Sequence, residues 1–259
     1  MPETAVYAPG TVTWVDLASK EVEKSKAFYS KLFNWQTDKI EDPQAGGYTW
    51  FLKDGKHAAA ISPVQGEQQP TAWSIYFATK DADKTAQAVK DAGGKVVAEP
   101  FDVMGTGRMA VFQDSTGAFF SVWQAIQNNG FEVEPGQPNT YAWAELNTRG
   151  IDRAREFYKK VFGWDTKISD MGNNMGEYTE FQLKGESLAG GMDMTMQPAS
   201  VPPYWMVYFA STDVDASTKK VKELGGKVMV EPTDFPGGRF SIDMDPQGGA
   251  FGILTMKQR

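Results

Sequence analysis

The stretches "AFYSKLFNW" (residues 27–35) and "EFYKKVFGW" (residues 156–164) carry one phrase, Phe-Tyr-x-Lys-x-Phe-x-Trp, twice in a single chain. Tyr29 and Tyr158, Phe33 and Phe162, and Trp35 and Trp164 keep the spacing of Phe28 and Phe157, which is 157 − 28 = 129. A period of that length is too long for a solenoid repeat and matches a whole domain. The match continues: "YFATKDADKTAQAVKDAGGKVVAEP" from Tyr76 parallels "YFASTDVDASTKKVKELGGKVMVEP" from Tyr208, at 208 − 76 = 132. "GRMAVFQDSTGAFFSV" from Gly107 parallels "GRFSIDMDPQGGAFGI" from Gly238, at 131. The offset changes within "EDPQAGG"/"SDMGNNMGE" and "PVQGEQQPT"/"TMQPASVPP", where surface loops absorb insertions cheaply. These spacings set a first module at 8–125 and a second at 138–256. Residues 126–137, rich in Gly, Pro and Asn, read as a linker.

Within the first module "TVTWVDL" alternates as a strand does. A helix is expected over "SKEVEKSKAFYSKLFNW", with Val22, Ala27, Phe28, Leu32 and Phe33 as its apolar stripe and Ser19 as its N-cap. "YTWFLKDGKHAAAIS" reads as a hairpin turning at Asp54-Gly55. The second half repeats the order: "WSIYFAT" as strand, "DADKTAQAVKDAGG" as a helix closed by glycine, then three strands. Each module thus holds two βαβββ units, an α+β arrangement written four times along the chain.

The totals narrow the function. With 259 residues, 41% of them hydrophobic, the chain has ample material for buried cores. A net charge of −7 argues against a nucleic-acid groove or an anionic membrane surface as partner. No run approaches the 18 or so apolar residues of a membrane span, and "MPETAVYAPG" lacks the pattern of a secretory signal, so a cytoplasmic location is expected. There is no cysteine, hence no disulfide and no thiolate ligand. The single histidine, His57, excludes a multi-histidine metal site within one chain.

Phe-Tyr late in the first helix, Asp-x-x-Gly before the last strand, the Tyr-Phe-Ala strand and the paired glycines together resemble the vicinal-oxygen-chelate superfamily of glyoxalase I, bleomycin-resistance proteins and extradiol dioxygenases. The resemblance covers nearly all of both modules. It implies curved mixed sheets that form cups, with helices packed outside. In that family a metal, where present, is held inside the cup by first and last strands. Fourteen residues before the Phe of each phrase stand Trp14 and Trp143; alignment on Phe77 and Phe209 brings Ser74 and Met206 to the next ligand position. Seven residues after Asp114 and Asp245 stand Ser121 and Gly252. None of these is a usual ligand, so no metal and no cofactor are expected. A divalent metal on an oxygen-only site using Asp16 and Glu145 is the alternative.

Strand parity suggests what lines the cups instead. Val12, Trp14 and Asp16 share one face, opposite Thr13, Val15 and Leu17; Tyr141, Trp143, Glu145 and Asn147 oppose Ala142, Ala144 and Leu146. The ligand-binding set expected on this basis is Trp14, Asp16, Ser74, Tyr76, Ser121 and Trp123 with Trp143, Glu145, Met206 and Tyr208. Plainer roles compete. The tryptophans fill volume, the two acids stay solvated, Arg108 and Arg239 are structural, and His57 merely follows a hairpin turn. Phe28, Tyr29, Phe33 and Trp35 with their copies serve helix–sheet packing. "GTGR" and "PGGR" lead into strands and are not phosphate loops.

The function expected is binding of a small aromatic or amphipathic molecule without the family's metal ligands. The alternative is a lyase or dioxygenase-type enzyme of the same superfamily, metal-free or with a non-standard metal site, using Asp16, Glu145 or His57 as acid or base. A third reading is an interaction protein with filled cups. The expected assembly is a monomer with an internal pseudo-dimer, or a homodimer; whether βαβββ units pair within or across modules stays open.

Overall fold

The computed structural model describes residues 7–170 and 176–257, so the loop expected at "SDMGNNMGE" lies partly outside the described residues. The first module forms β1 (Val12–Ser19), α1 (Val22–Phe33), β2 (Gln36–Lys39), β3 (Thr49–Lys53) and β4 (Lys56–Pro63), then β5 (Ala72–Ala78), α2 (Ala82–Asp91), β6 (Lys95–Val103), β7 (Gly107–Gln113) and β8 (Phe119–Ala125). The second repeats it as β9 (Tyr141–Thr148), α3 (Ile151–Phe162), β10 (Asp165–Asp170), β11 (Glu177–Leu183) and β12 (Glu186–Asp193), then β13 (Tyr204–Ala210), α4 (Val214–Glu223), β14 (Lys227–Phe235), β15 (Gly238–Met244) and β16 (Ala250–Met256). The four βαβββ units are therefore present. Their strands form two eight-stranded mixed sheets, ordered β2-β3-β4-β1-β5-β8-β7-β6 and β10-β11-β12-β9-β13-β16-β15-β14.

Local chemistry sets the boundaries. α2 and α4 are capped by Asp81 and Asp213, whose carboxylates accept the N–H of Lys84 and Ala216 at 2.9 Å. α1 departs from expectation. It starts at Val22 behind Glu21, which makes no side-chain cap. Ser19 lies too early to cap it; its hydroxyl accepts the N–H of Glu21 and shares a 2.8 Å hydrogen bond with Ser25. Its buried stripe is Ser25, Phe28, Tyr29, Leu32 and Phe33, an i, i+3/i+4 pattern that leaves Ala27 exposed. The β3–β4 hairpin turns at Asp54 and Gly55, both at positive φ (52° and 76°), and Lys184-Gly185 does the same between β11 and β12. β2 went unread in "QTDK" because all four residues are polar and exposed.

The chain condenses into two compact units, and each draws on both modules. The first takes the chain up to Trp14 with Ile75–Gly130 and Ala144–Trp205; the second takes Val15–Ser74, Phe131–Trp143 and Met206 onward. The repeated phrase explains this partition. In the first unit Tyr158 donates to Asp114 Oδ2 at 3.0 Å and accepts the indole N–H of Trp205 at 2.9 Å, all three buried. Asp114 Oδ1 in turn accepts the N–H groups of Thr116, Gly117 and Ala118, closing the Asp-x-x-Gly turn. The second unit repeats the device. Trp73 donates to the Tyr29 hydroxyl at 3.0 Å, that hydroxyl faces Asp245, and Asp245 Oδ1 accepts the N–H of Gln247 and Gly249. Burial, then the neighbouring carboxylate, raises both tyrosines well above their ordinary value.

Aromatic rings pack around each relay. Phe77, Phe120, Phe162, Trp164 and Phe181 surround Tyr158; Phe28, Phe33, Phe51 and Phe251 surround Tyr29. The closing Trp of each phrase ties down a strand entry: Trp164 donates to Gly10 O ahead of β1, and Trp35 to Asn139 O ahead of β9. The linker is equally bound in. Phe131 and Val133 are buried, and Phe131 stacks on Tyr141 at 5.3 Å. Arg108 grips Asp83 with two nitrogens and Asp102 with a third; Arg239 does the same to Asp215 and Asp234. Both tie a helix start to a hairpin, the structural role.

One buried acid breaks the repeat. Asp243 stands where the first module has the buried Phe112. Its Oδ2 accepts from Ser241, whose oxygen accepts from Thr218, while Oδ1 has no hydrogen-bond partner. Burial pushes its carboxyl up to about 6.

Two predictions follow from this framework. Tyr158→Phe orphans a buried carboxylate oxygen and a buried indole N–H, so stability drops by about 1–3 kcal/mol, read as a lower urea midpoint at unchanged slope. For Asp243 the folded carboxyl titrates near 6 against 3.8 unfolded. The folded state therefore holds the extra proton, and stability falls as pH rises through this window, by on the order of 2 kcal/mol. Asp243→Asn removes that slope in melts taken between those two pH values.

Candidate functional site

The ten lining residues expected from parity divide five and five. Trp14, Tyr76, Ser121, Trp123 and Glu145 belong to the first unit; Asp16, Ser74, Trp143, Met206 and Tyr208 belong to the second. Asp16 and Glu145 are 6% and 8% exposed, so neither is a solvated surface acid. Trp14 is equally buried, while Trp143, Ser74, Tyr76 and Trp123 are half-buried.

In the second unit, ladder register places Asp16 of β1 and Trp50 of β3 on either side of Ala60 of β4. Residues opposite one another in a ladder share a face, so an acid and an indole flank a methyl-sized floor. Tyr48, two residues before Trp50, shares that face and donates to Asp16 Oδ2 at 3.1 Å. Its ring meets Trp50 edge-on at 5.2 Å. The ladder then slips between Phe51 and Leu52, and this bulge turns His57 onto the same face. The imidazole stacks on Trp50 at 4.4 Å and 18°. Glu132, from the linker, accepts the His57 backbone N–H at 2.9 Å and lies 3.3 Å from Nδ1 through the same oxygen. Glu132 also donates its own N–H to His57 O, pairing the linker with β4. The result is a continuous run: Asp16, Tyr48, Trp50, His57, Glu132.

The first unit carries the same frame with different chemistry. Glu145 of β9 and Glu180 of β11 flank Gly190 of β12, and Lys167 of β10 lies beyond. Asn147 donates to Glu145 at 3.3 Å, Ser187 to Glu180 at 2.7 Å, and Lys167 pairs with Glu180 at 3.0 Å. The bulge recurs between Phe181 and Gln182. Elsewhere in this unit Tyr76 pairs in register with Ser121, and the Trp123 indole donates to Asn128 O at 2.7 Å while its ring covers Gly107.

The donor chemistry does not fit the family's metal. Among the described residues no group of three or more His, Asp or Glu side chains converges to hold an ion. At Gly252 there is also no room, because a Cβ there would lie 2.0 Å from the Tyr208 ring. Tyr208 occupies the space a longer ligand at 252 would need.

Sequence reading missed Tyr48, Glu132 and the Glu180–Ser187 pair, and discounted His57. The signal for Tyr48 was present: "YTW" has the same alternation as "WVD". The bulge that aims His57, and the burial of the linker that carries Glu132, have no signature in composition.

The chain matches the description "Glyoxalase/Bleomycin resistance protein/Dioxygenase superfamily" over residues 11–122 and 140–253. It belongs to that superfamily. A superfamily relative, "Anthracycline biosynthesis protein DnrV" of Streptomyces peucetius, is 40% identical over 97% of this chain and 95% of its own. Among solved superfamily structures, a Mn(II)-bound glyoxalase from Novosphingobium aromaticivorans superposes with a TM-score of 0.64 at 18% identity, covering 95% of this chain and 82% of that one. The 2,3-dioxygenase LapB from Pseudomonas sp. KL28 gives 0.66 at 13%, covering 98% and 95%. These two likenesses establish the fold. Among the described residues no helix is long and apolar enough to cross a membrane.

Proposed function

We propose that this protein binds a planar, hydroxylated aromatic molecule, and that the second unit's Asp16–Tyr48–Trp50–His57 face receives it. The observation that carries the reading is the stacked Trp50–His57 pair standing beside a buried acid over the Ala60 floor. A flat π-system suits an indole face, and each good aromatic contact contributes about 0.5–1.5 kcal/mol beyond its buried area. The Tyr48 hydroxyl, oriented by Asp16, supplies a fixed polar point for a ligand hydroxyl. The relative named for anthracycline biosynthesis supports the same ligand class, since anthracyclines are fused, hydroxylated ring systems. The reading calls on no resident metal.

Calorimetric titration with a hydroxylated anthraquinone tests the reading. Trp50→Ala is expected to weaken binding by about tenfold with an unchanged melting temperature. Chelator added to the wild-type titration is expected to change nothing. Equal affinity in the variant, or binding lost with chelator, would sink the proposal.

A further inference from the structure

His57 is held on two sides, by Glu132 and by Trp50. One Glu132 oxygen is fixed by the His57 backbone N–H at 2.9 Å and faces Nδ1 at 3.3 Å. A carboxylate held there selects the tautomer with hydrogen on Nδ1, which leaves Nε2 with its lone pair. Nε2 has no hydrogen-bond partner among the described residues, and the side chain is 28% exposed, so the acceptor is reachable. The ring cannot turn freely, since Trp50 stacks on it at 4.4 Å. The charged surroundings are few. From β3 the opposing residue is the apolar Leu52; the next pair, Lys53 and Lys56, closes the hairpin, with Lys53 engaged by Asp54. Glu132 is thus the charge that faces the imidazole.

We infer that His57 takes the proton of a phenolic hydroxyl on the bound aromatic, so that the ligand is held as a phenolate against an imidazolium. The O–H bond of the phenol breaks, an Nε2–H bond forms, and the two resulting charges pair on the spot. Glu132 is the positioning residue, acting through Nδ1. In the first unit Ser187 occupies the matching place, so this property belongs to one face only. The inference rests on the binding reading above and adds the ionisation state and the class of ligand group, an acidic phenol.

The test uses the full chain and a dihydroxyanthraquinone whose visible band moves on ionisation, at about one pH unit below the free dye's pKa. The wild type is expected to bind it with the ionised band. His57→Phe keeps a ring against Trp50 but removes the charge partner, so it is expected to bind more weakly than wild type and, at saturating protein, to hold the dye with the neutral band. Glu132→Gln should show the ionised band at higher pH than wild type does. A neutral band in the bound wild type, or an ionised band retained in His57→Phe, would overturn the inference while leaving the binding reading intact. No binding by the wild type would overturn both, and the affinity titration reports that separately.

Discussion

Each compact unit is organised by a buried tyrosine that must be satisfied on two sides. Tyr158 sits between the Asp114 carboxylate and the Trp205 indole, and Tyr29 between Asp245 and Trp73. A phenol buried in an aromatic core is tolerable only when its hydroxyl is paired, and a buried carboxylate needs several donors at once. The Asp-x-x-Gly turn provides those donors from its own backbone, and in the first unit Tyr158 supplies the last one. Removing any member leaves the others orphaned, which costs more than the bond itself was worth. The polar relay therefore specifies which pieces meet, while the rings around it provide the bulk of the burial.

That requirement decides how the repeats are used. The tyrosine of the first repeat meets the aspartate of the second, and the tyrosine of the second meets the aspartate of the first. Neither repeat can complete a relay alone. Carrying both on one chain keeps the partners at a fixed, high effective concentration, whatever the protein concentration. It also releases the two copies from identity. Once each unit has its own pair of half-repeats, a change such as Phe112 to Asp243 affects only one unit.

The fold was legible because its signals are local and repeated: the strand alternation, the Asp-Gly turn and the glycine closures are all written in residue type. Two errors were of position. Ser19 was placed as a cap two residues early, and Ala27 was put on the buried stripe in place of Ser25 and Tyr29. The site was legible only in part. Parity found Asp16 and Glu145, because alternation along one strand is written in the sequence. It could not find His57, since a bulge changes parity and leaves no mark in residue type. Glu132 was passed over because a Gly-, Pro- and Asn-rich stretch reads as loose connection, although Phe131 and Val133 are buried.

The two half-sheet faces show how one backbone carries two chemistries. In both, an acid on the first strand and a larger residue on the third flank a small residue on the fourth: Asp16, Trp50 and Ala60 in one, Glu145, Glu180 and Gly190 in the other. The small residue stands between the two larger ones in register. The bulge must stay, because it sets the next residue, His57 or Ser187, against the third-strand wall. What varies freely is the identity of the walls. An indole beside an imidazole favours a flat ring, whereas two carboxylates with Ser187 and Lys167 form a polar, hydrogen-bonded surface.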